Sequence, residues 1–354
     1  MSSRERRQRL LRALARLPVD RPPVICTGGS MSAVPAEVIA RSGFTLPEAH
    51  CDANAMGGLA LAAARIAGFE SVGVPLCTTV EAEAYGAVIE LGDARTEAHI
   101  VQEPFRAINE APLPPAKTLL TRGRVQVAVQ AVRWLSENAG DYPIVANVIG
   151  PVSIAASVVE PTAFLRELRS KPAETAALAA HATDFLIGWS RQLIAAGTDA
   201  IAIHEDTATP ALVGPRTFEQ AVLPHLQRLA AAVRQAGGKV LLHMCGALDK
   251  AAAAVGRLGC DAYIPDASIP PAELRQTIPN IAIVGNISTF LLHQGQPDAI
   301  ARLAARLVRR GGVDVLSPAC GMSSATPLTN IRAMTEAALK GADSPNIPSA
   351  ISNE

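Results

Sequence analysis

Short apolar runs alternate with longer amphipathic stretches along almost the whole 354-residue chain. The runs are Val24-Ile25-Cys26, Ser71-Val72-Gly73-Val74, Ile144-Val145-Ala146-Asn147-Val148, Ala200-Ile201-Ala202-Ile203, Val240-Leu241-Leu242, Ala262-Tyr263-Ile264, Ile281-Ala282-Ile283-Val284 and Val313-Asp314-Val315-Leu316. Each has strand length and composition. The stretches between them are Ala-rich and read as helices: Pro35–Arg41, Ala53–Ala67, Thr121–Asn138, Ala173–Ala196, Thr217–Ala236, Ala247–Leu258 and Pro297–Arg309. Strands that are apolar at consecutive positions are buried on both faces, as in a parallel sheet. Their alternation with helices builds right-handed βαβ units. Eight such units predict an α/β fold, a (β/α)8 TIM barrel.

Three segments stand outside that rhythm. Arg4–Leu17 places Leu10, Leu11, Leu14 and Leu17 at helical spacing, and Pro18 with Pro22-Pro23 stops it. It predicts an N-terminal helical extension. Residues 78–115 are longer and irregular, with Glu81, Glu83 and Glu90, and read as an insertion or hairpin excursion after the second strand. Residues 343–354 are rich in Pro, Ser and Asn and read as a flexible tail, which leaves 1–342 as a single barrel domain.

Composition narrows the partners. Thirty-two basic residues balance thirty-two acidic ones, so there is no field to attract nucleic acid or an anionic membrane surface. Aromatic residues are 3% of the chain, too few for base-stacking platforms. No apolar stretch approaches the length of a membrane span, and the charged start has no signal-peptide pattern, so a cytoplasmic location is expected. The six cysteines are dispersed, as suits free thiols and metal ligands rather than a disulfide framework.

In a barrel, chemistry sits at the C-terminal ends of the strands. The groups that end or follow the runs are Cys26 with the loop Thr27-Gly28-Gly29-Ser30-Met31-Ser32, then Cys77, Gly150-Pro151, His204-Glu205-Asp206, His243 with Cys245, Asp266, Asn286 and Cys320. His243 and Cys245 are two apart on an extended segment and share a face. Cys320 approaches across the mouth. Imidazole and thiolate are the donors zinc prefers, and three protein ligands with an open position is the catalytic pattern. Asp266 is a candidate fourth ligand that an incoming thiol displaces; capping a loop or binding substrate is the alternative. His204, Glu205 and Asp206 are candidates for orienting substrate or accepting a proton, or for a buried hydrogen-bond network. Asn286 either bonds substrate or caps a turn. Cys26, Cys51, Cys77 and Cys260 read as small buried hydrophobes.

With these residues in view the chain resembles the uroporphyrinogen decarboxylase superfamily, and within it the methylcobamide:thiol (coenzyme M type) methyltransferases. The resemblance runs through Val19-Asp20-Arg21-Pro22-Pro23-Val24, Pro47-Glu48-Ala49-His50, Gly68-Phe69-Glu70 and Thr79-Val80-Glu81-Ala82-Glu83-Ala84. It continues through Gly150-Pro151-Val152-Ser153, His204-Glu205-Asp206-Thr207-Ala208, Pro215-Arg216-Thr217-Phe218 and Pro224-His225-Leu226. In the last third it rests on His243-Met244-Cys245-Gly246, Gly285-Asn286-Ile287 and Cys320-Gly321. The His-x-Cys…Cys set looks like the zinc signature of that branch, which implies His243, Cys245 and Cys320 as ligands. The branch also implies a TIM barrel and a methylated corrinoid protein as methyl donor. The decarboxylases carry an Arg-Gln-Ala-Gly-Arg type segment after the first strand, where this chain has Thr27-Gly28-Gly29-Ser30-Met31-Ser32 and no Arg.

The expected reaction is therefore methyl transfer from a methylcobamide on a partner protein to a small thiol such as coenzyme M, through a zinc-bound thiolate. The Gly28–Ser32 loop could flank the opening on which the corrinoid docks, with Met31 and Ser32 facing it; a plain strand–helix turn is the other reading. Tetrahydrofolate as acceptor, decarboxylation and a non-catalytic metal-binding barrel are the alternatives. Arg216 and Arg332 are the nearest candidates to hold a sulfonate.

Overall fold

The computed structural model describes residues 5–26, 34–110, 113–246, 248, 252–309 and 312–340. Met31, Ser32 and the proposed tail lie outside the described residues.

Seven parallel strands follow one another around a curled sheet: β1 (Val72–Val74), β4 (Ile144–Ile149), β5 (Ala200–His204), β6 (Lys239–His243), β7 (Ala262–Ile264), β8 (Ala282–Ile287) and β9 (Val315–Pro318). β2 (Val88–Glu90) and β3 (His99–Gln102) form a separate antiparallel hairpin inside the segment after β1, as the irregular pattern there suggests. The first of the eight apolar runs corrects the expectation. It is no regular strand and makes a single parallel bridge, Val24 to Leu316. That bridge still closes the ring. The Ile25 N–H donates to Leu316 O and the Leu316 N–H to Pro23 O, both at 2.9 Å. On the other side the Glu70 N–H donates to Val24 O at 2.7 Å, just before β1.

Two apolar clusters separate the inside of the barrel from its helical jacket. Val145, Ala200, Ala202, Leu241, Ala262, Ile264, Ala282, Val284 and Val315 alternate along the strands and fill the inside with Ile25. Their neighbours in sequence, such as Ala146, Ile201, Leu242 and Ile283, face the helices. This two-sided burial is why the strands read as unbroken apolar runs. The helix Glu5–Leu14 contributes Leu10, Ala13 and Leu14 to the inner cluster and so stoppers the N-terminal end of the barrel.

Charges fix that stopper. Buried Glu70 takes Arg21 on both oxygens, at 2.6 and 2.7 Å, and Arg9 at 3.0 Å, and also accepts from the Val24 N–H. Arg9 in turn forks onto Asp20 at 2.8 Å through two nitrogens. The N-terminal end is closed and ion-paired. Alternation along the strands then puts the next inward layer, Asn147, His204, His243, Asn286 and Ser317, toward the opposite, C-terminal mouth. Asn147, whose facing the pattern alone leaves open, thus points inward.

Candidate metal centre

His243 ends β6 directly opposite His204 on β5, and its ring is fully buried. Its Nδ1 lies 3.1 Å from Ile264 O on β7. That carbonyl can only accept, so Nδ1 carries a proton, and Nε2 is the ring atom that faces the Cys245 sulfur. Cys245 Sγ is 3.4 Å from that Nε2 and 3.8 Å from Cys320 Sγ. The three donor atoms lie within 4.8 Å of one another. Two residues of extended chain bring Cys245 to the face of His243, and the turn after β9 brings Cys320 from across the mouth. Both cysteines are partly exposed, and a cavity of roughly 540 Å3 opens beside Cys320, lined also by Asp206, Phe290 and His293.

The three donors perturb one another electrostatically. A hydrogen bond from Cys245 and another from His243 hold the Cys320 thiol well below its ordinary range, against the opposing effect of burial. The same Cys320 contact, then burial, push the Cys245 thiol up. Burial lowers the His243 imidazole, but the hydrogen bond to Cys320 and the charge of Asp206 outweigh it and raise it to about 9. Two thiolates and an imidazole would match zinc in charge and donor type.

The other sequence candidates divide into three kinds. Asp206 joins the cluster: Oδ1 is 3.5 Å from His243 Nε2 and 3.8 Å from Cys245 Sγ. Burial raises its carboxyl above the usual range. His204 is buried beside His243, with ring centroids 5.5 Å apart, and burial lowers its imidazole to about 3, so it is neutral. Its Nε2 lies 3.0 Å from Asn147 Oδ1.

Glu205, Asp266 and Asn286 are held by backbone. Glu205 points away from the barrel axis, with Oε2 accepting from the Val152 N–H at 3.1 Å and Oε1 from Ser153 Oγ at 2.5 Å. Asp266 accepts from the Gly246 N–H at 3.1 Å and from the backbone and hydroxyl of Ser268 at 2.8 and 2.7 Å. The Ser268 bonds lead in lowering its carboxyl, and it is near enough to act on the Cys245 thiol. Asn286 Nδ2 donates to Ile269 O at 2.8 Å and so ties down the loop that carries Asp266.

The remaining residues stand elsewhere. Arg332 is not at the mouth, because its Nε donates to Ile66 O between helices. Cys26, Cys77 and Cys260 are buried as expected, whereas Cys51 is exposed at the end of a short helix. One group went unselected from sequence: Glu81, 1% exposed, whose Oε1 accepts from the Ile149 N–H at 2.8 Å. Its only signal was an acidic residue between the buried positions Val80 and Ala82.

This barrel with a thiol-rich mouth belongs to the uroporphyrinogen decarboxylase (URO-D) family, whose pattern matches residues 5–340. Within the family the chain is 31% identical to the methylcobamide:CoM methyltransferase MtbA of Methanosarcina acetivorans, over 94% of this chain and 97% of that one. It is 32% identical to the methylcobamide:CoM methyltransferase MtaA of Methanosarcina barkeri, over 95% and 98%. A solved methyltransferase from Methanosarcina mazei superposes with a TM-score of 0.87 at 31% identity, covering 95% of this chain and 98% of that one. The methyltransferase branch inferred from the motifs is the branch these relatives occupy. No helix among the described residues is long and apolar enough to cross a membrane.

Proposed function

We propose that the chain moves a methyl group from a methylated corrinoid protein to a small thiol, at a zinc ion held by His243, Cys245 and Cys320. The observation that carries this is the convergence of those three donor atoms at the open barrel mouth, with the His243 tautomer already fixed by Ile264 O. The names of the relatives support it, since they are methylcobamide:CoM methyltransferases.

When bound, zinc favours the ionised form of a thiol, which is otherwise mostly protonated at neutral pH with a pKa of about 8.5. The protein's own groups do the rest. Cys245 and Cys320 supply the anionic donors, and His243 the neutral one. Asp266, on the neighbouring loop, would be the weaker oxygen donor that gives way to the thiol. Asp206 Oδ1, beside Cys245 and His243, accepts the proton the thiol gives up. Glu205 and Asn286 act at one remove, bracing the helix Pro151–Val158 and the Asp266 loop. The cavity leaves the Cys320 side of the mouth open to a docked donor protein.

Metal analysis of the wild type, His243→Ala and Cys320→Ser tests the ligand set. About one zinc per chain is expected in the wild type, and most of it lost in each variant. Zinc-edge absorption should then show an added sulfur neighbour when thiol is supplied. Full zinc in both variants would overturn the ligand assignment. A zinc shell unchanged by every thiol tried would overturn the acceptor.

A further inference from the structure

After β8 the chain turns into a short helix, Thr289–Gln294, at the rim of the mouth. Three of its residues, Thr289, Phe290 and His293, line the mouth cavity together with Cys320. Phe290 and His293 are three apart and share a helix face, whereas Leu292 lies on the opposite face and is fully buried. The helix is clamped at both ends. Ser288 Oγ accepts from the Leu291 N–H at 3.4 Å, and buried Asn330 donates through Nδ2 to Leu292 O at 2.8 Å and to Gly295 O at 3.0 Å. A fixed backbone, rather than a loose turn, presents the Phe290 ring to the cavity.

That ring is 69% exposed, more than any other large apolar side chain among the described residues. The other six phenylalanines are buried or packed against the core. One turn on, His293 is partly exposed and its ring makes no hydrogen bond among the described residues. Its Nδ1 is enclosed, so Nε2 is the nitrogen that can meet a ligand in the cavity. A small thiol does not fill this space: roughly 540 Å3 is in the range of pockets that hold drug-sized ligands. Methyl transfer brings donor and acceptor into contact, so the cobalt-bound methyl must enter the cavity on which Cys320 opens. The corrin that carries it is a broad, flat macrocycle, apolar along its methyl-bearing edge and fringed with carboxamide arms. An exposed phenyl ring and an unengaged imidazole on one helix face match an apolar ring with a hydrogen-bonding fringe.

We propose that Phe290 and His293 hold the corrin of the methyl donor over the mouth, Phe290 packing on the macrocycle and His293 Nε2 bonding a carboxamide arm. They touch the donor and neither the metal nor the thiol. The inference rests on the methyl-transfer reading above and assigns the donor's contacts on this chain.

Free methylcobalamin, without a carrier protein, is the probe. Its Kd for zinc-loaded protein is read by equilibrium dialysis in the absence of thiol, and its KM by initial rates with 2-mercaptoethanesulfonate. Phe290→Ala is expected to raise both constants about tenfold, the loss of one aromatic contact. Phe290→Trp keeps a flat apolar ring and should stay within about twofold of the wild type. His293→Leu should raise both constants about threefold to tenfold, and His293→Gln, which keeps a donor and an acceptor, should recover most of that. The KM for the thiol and the zinc content should not move. Methylcobalamin constants unchanged in both Phe290→Ala and His293→Leu overturn the proposal. So does a rise in the thiol KM in their place, which would assign the pair to the acceptor, and so does the absence of saturable methylcobalamin binding by the wild type. No turnover with any thiol overturns the methyl-transfer reading instead, and the dialysis constants still decide whether Phe290 and His293 hold the corrin.

Discussion

At Gly150 there is room for a hydrogen and nothing larger: a Cβ would stand 2.3 Å from Glu205 Oε2. The Gly-Pro turn after β4 therefore exists so that a buried carboxylate can reach the first N–H groups of the next helix. Gly150→Ala should destabilise the fold by about 1–3 kcal/mol, read as a lower midpoint in urea. Glu81 makes a pH prediction. Its carboxyl goes from an ordinary value of 4.5 to about 8 on folding, because of burial. The native state thus keeps a proton that the unfolded chain has lost. This contribution is fully present below about pH 4.5 and is lost as pH rises toward 8, by at most about 1.4 kcal/mol per pH unit. Unfolding free energies measured between pH 5 and 8 should fall with pH, and less steeply in Glu81→Gln. The convergence of His243 and Cys245 was legible in the sequence because a strand puts residues two apart on one face, so the pair needed only a strand exit to meet. Glu81 was not, since an acidic residue on an amphipathic helix reads as a solvated one.

Among the elements, the N-terminal helix is tied to the barrel through a buried acid, Glu70. Glu70 neutralises Arg9 and Arg21 and also accepts from Val24, all in buried surroundings. Glu70→Ala would strand the Arg21 guanidinium and leave Arg9 with Asp20 alone, and a loss of about 3–5 kcal/mol is expected on chemical denaturation. Leu10 and Leu14 were readable as one face of a helix; that the face enters the barrel was not, because periodicity reports burial and not the partner. The same limit explains the first strand. The run Val24-Ile25-Cys26 is buried as its composition requires, yet only Val24 pairs as a strand residue. By contrast β4, β5 and β6 extend slightly beyond their apolar runs, since each has a strand partner on both sides.

For the molecule as a whole, the proposed zinc site ties metal to stability. It joins β6 to the turn after β9, so a ligand bound only by the folded chain raises the unfolding midpoint. Chelation should lower Tm by several degrees and zinc should restore it, whereas His243→Ala should show little response to either; calorimetry with and without chelator reads this. The barrel also has a seam. Residues 24 and 316 stand near opposite ends of the chain, and their pairing is one bridge wide. Loop-closure entropy makes such a contact the last to form and the first to open. The amides of Ile25 and Leu316 should therefore exchange with solvent hydrogen sooner than those of β5, although all are equally buried. Breathing at that seam would widen the mouth beside Cys320 without disturbing the pairing that holds His243, giving a large partner a way to approach at little thermodynamic penalty.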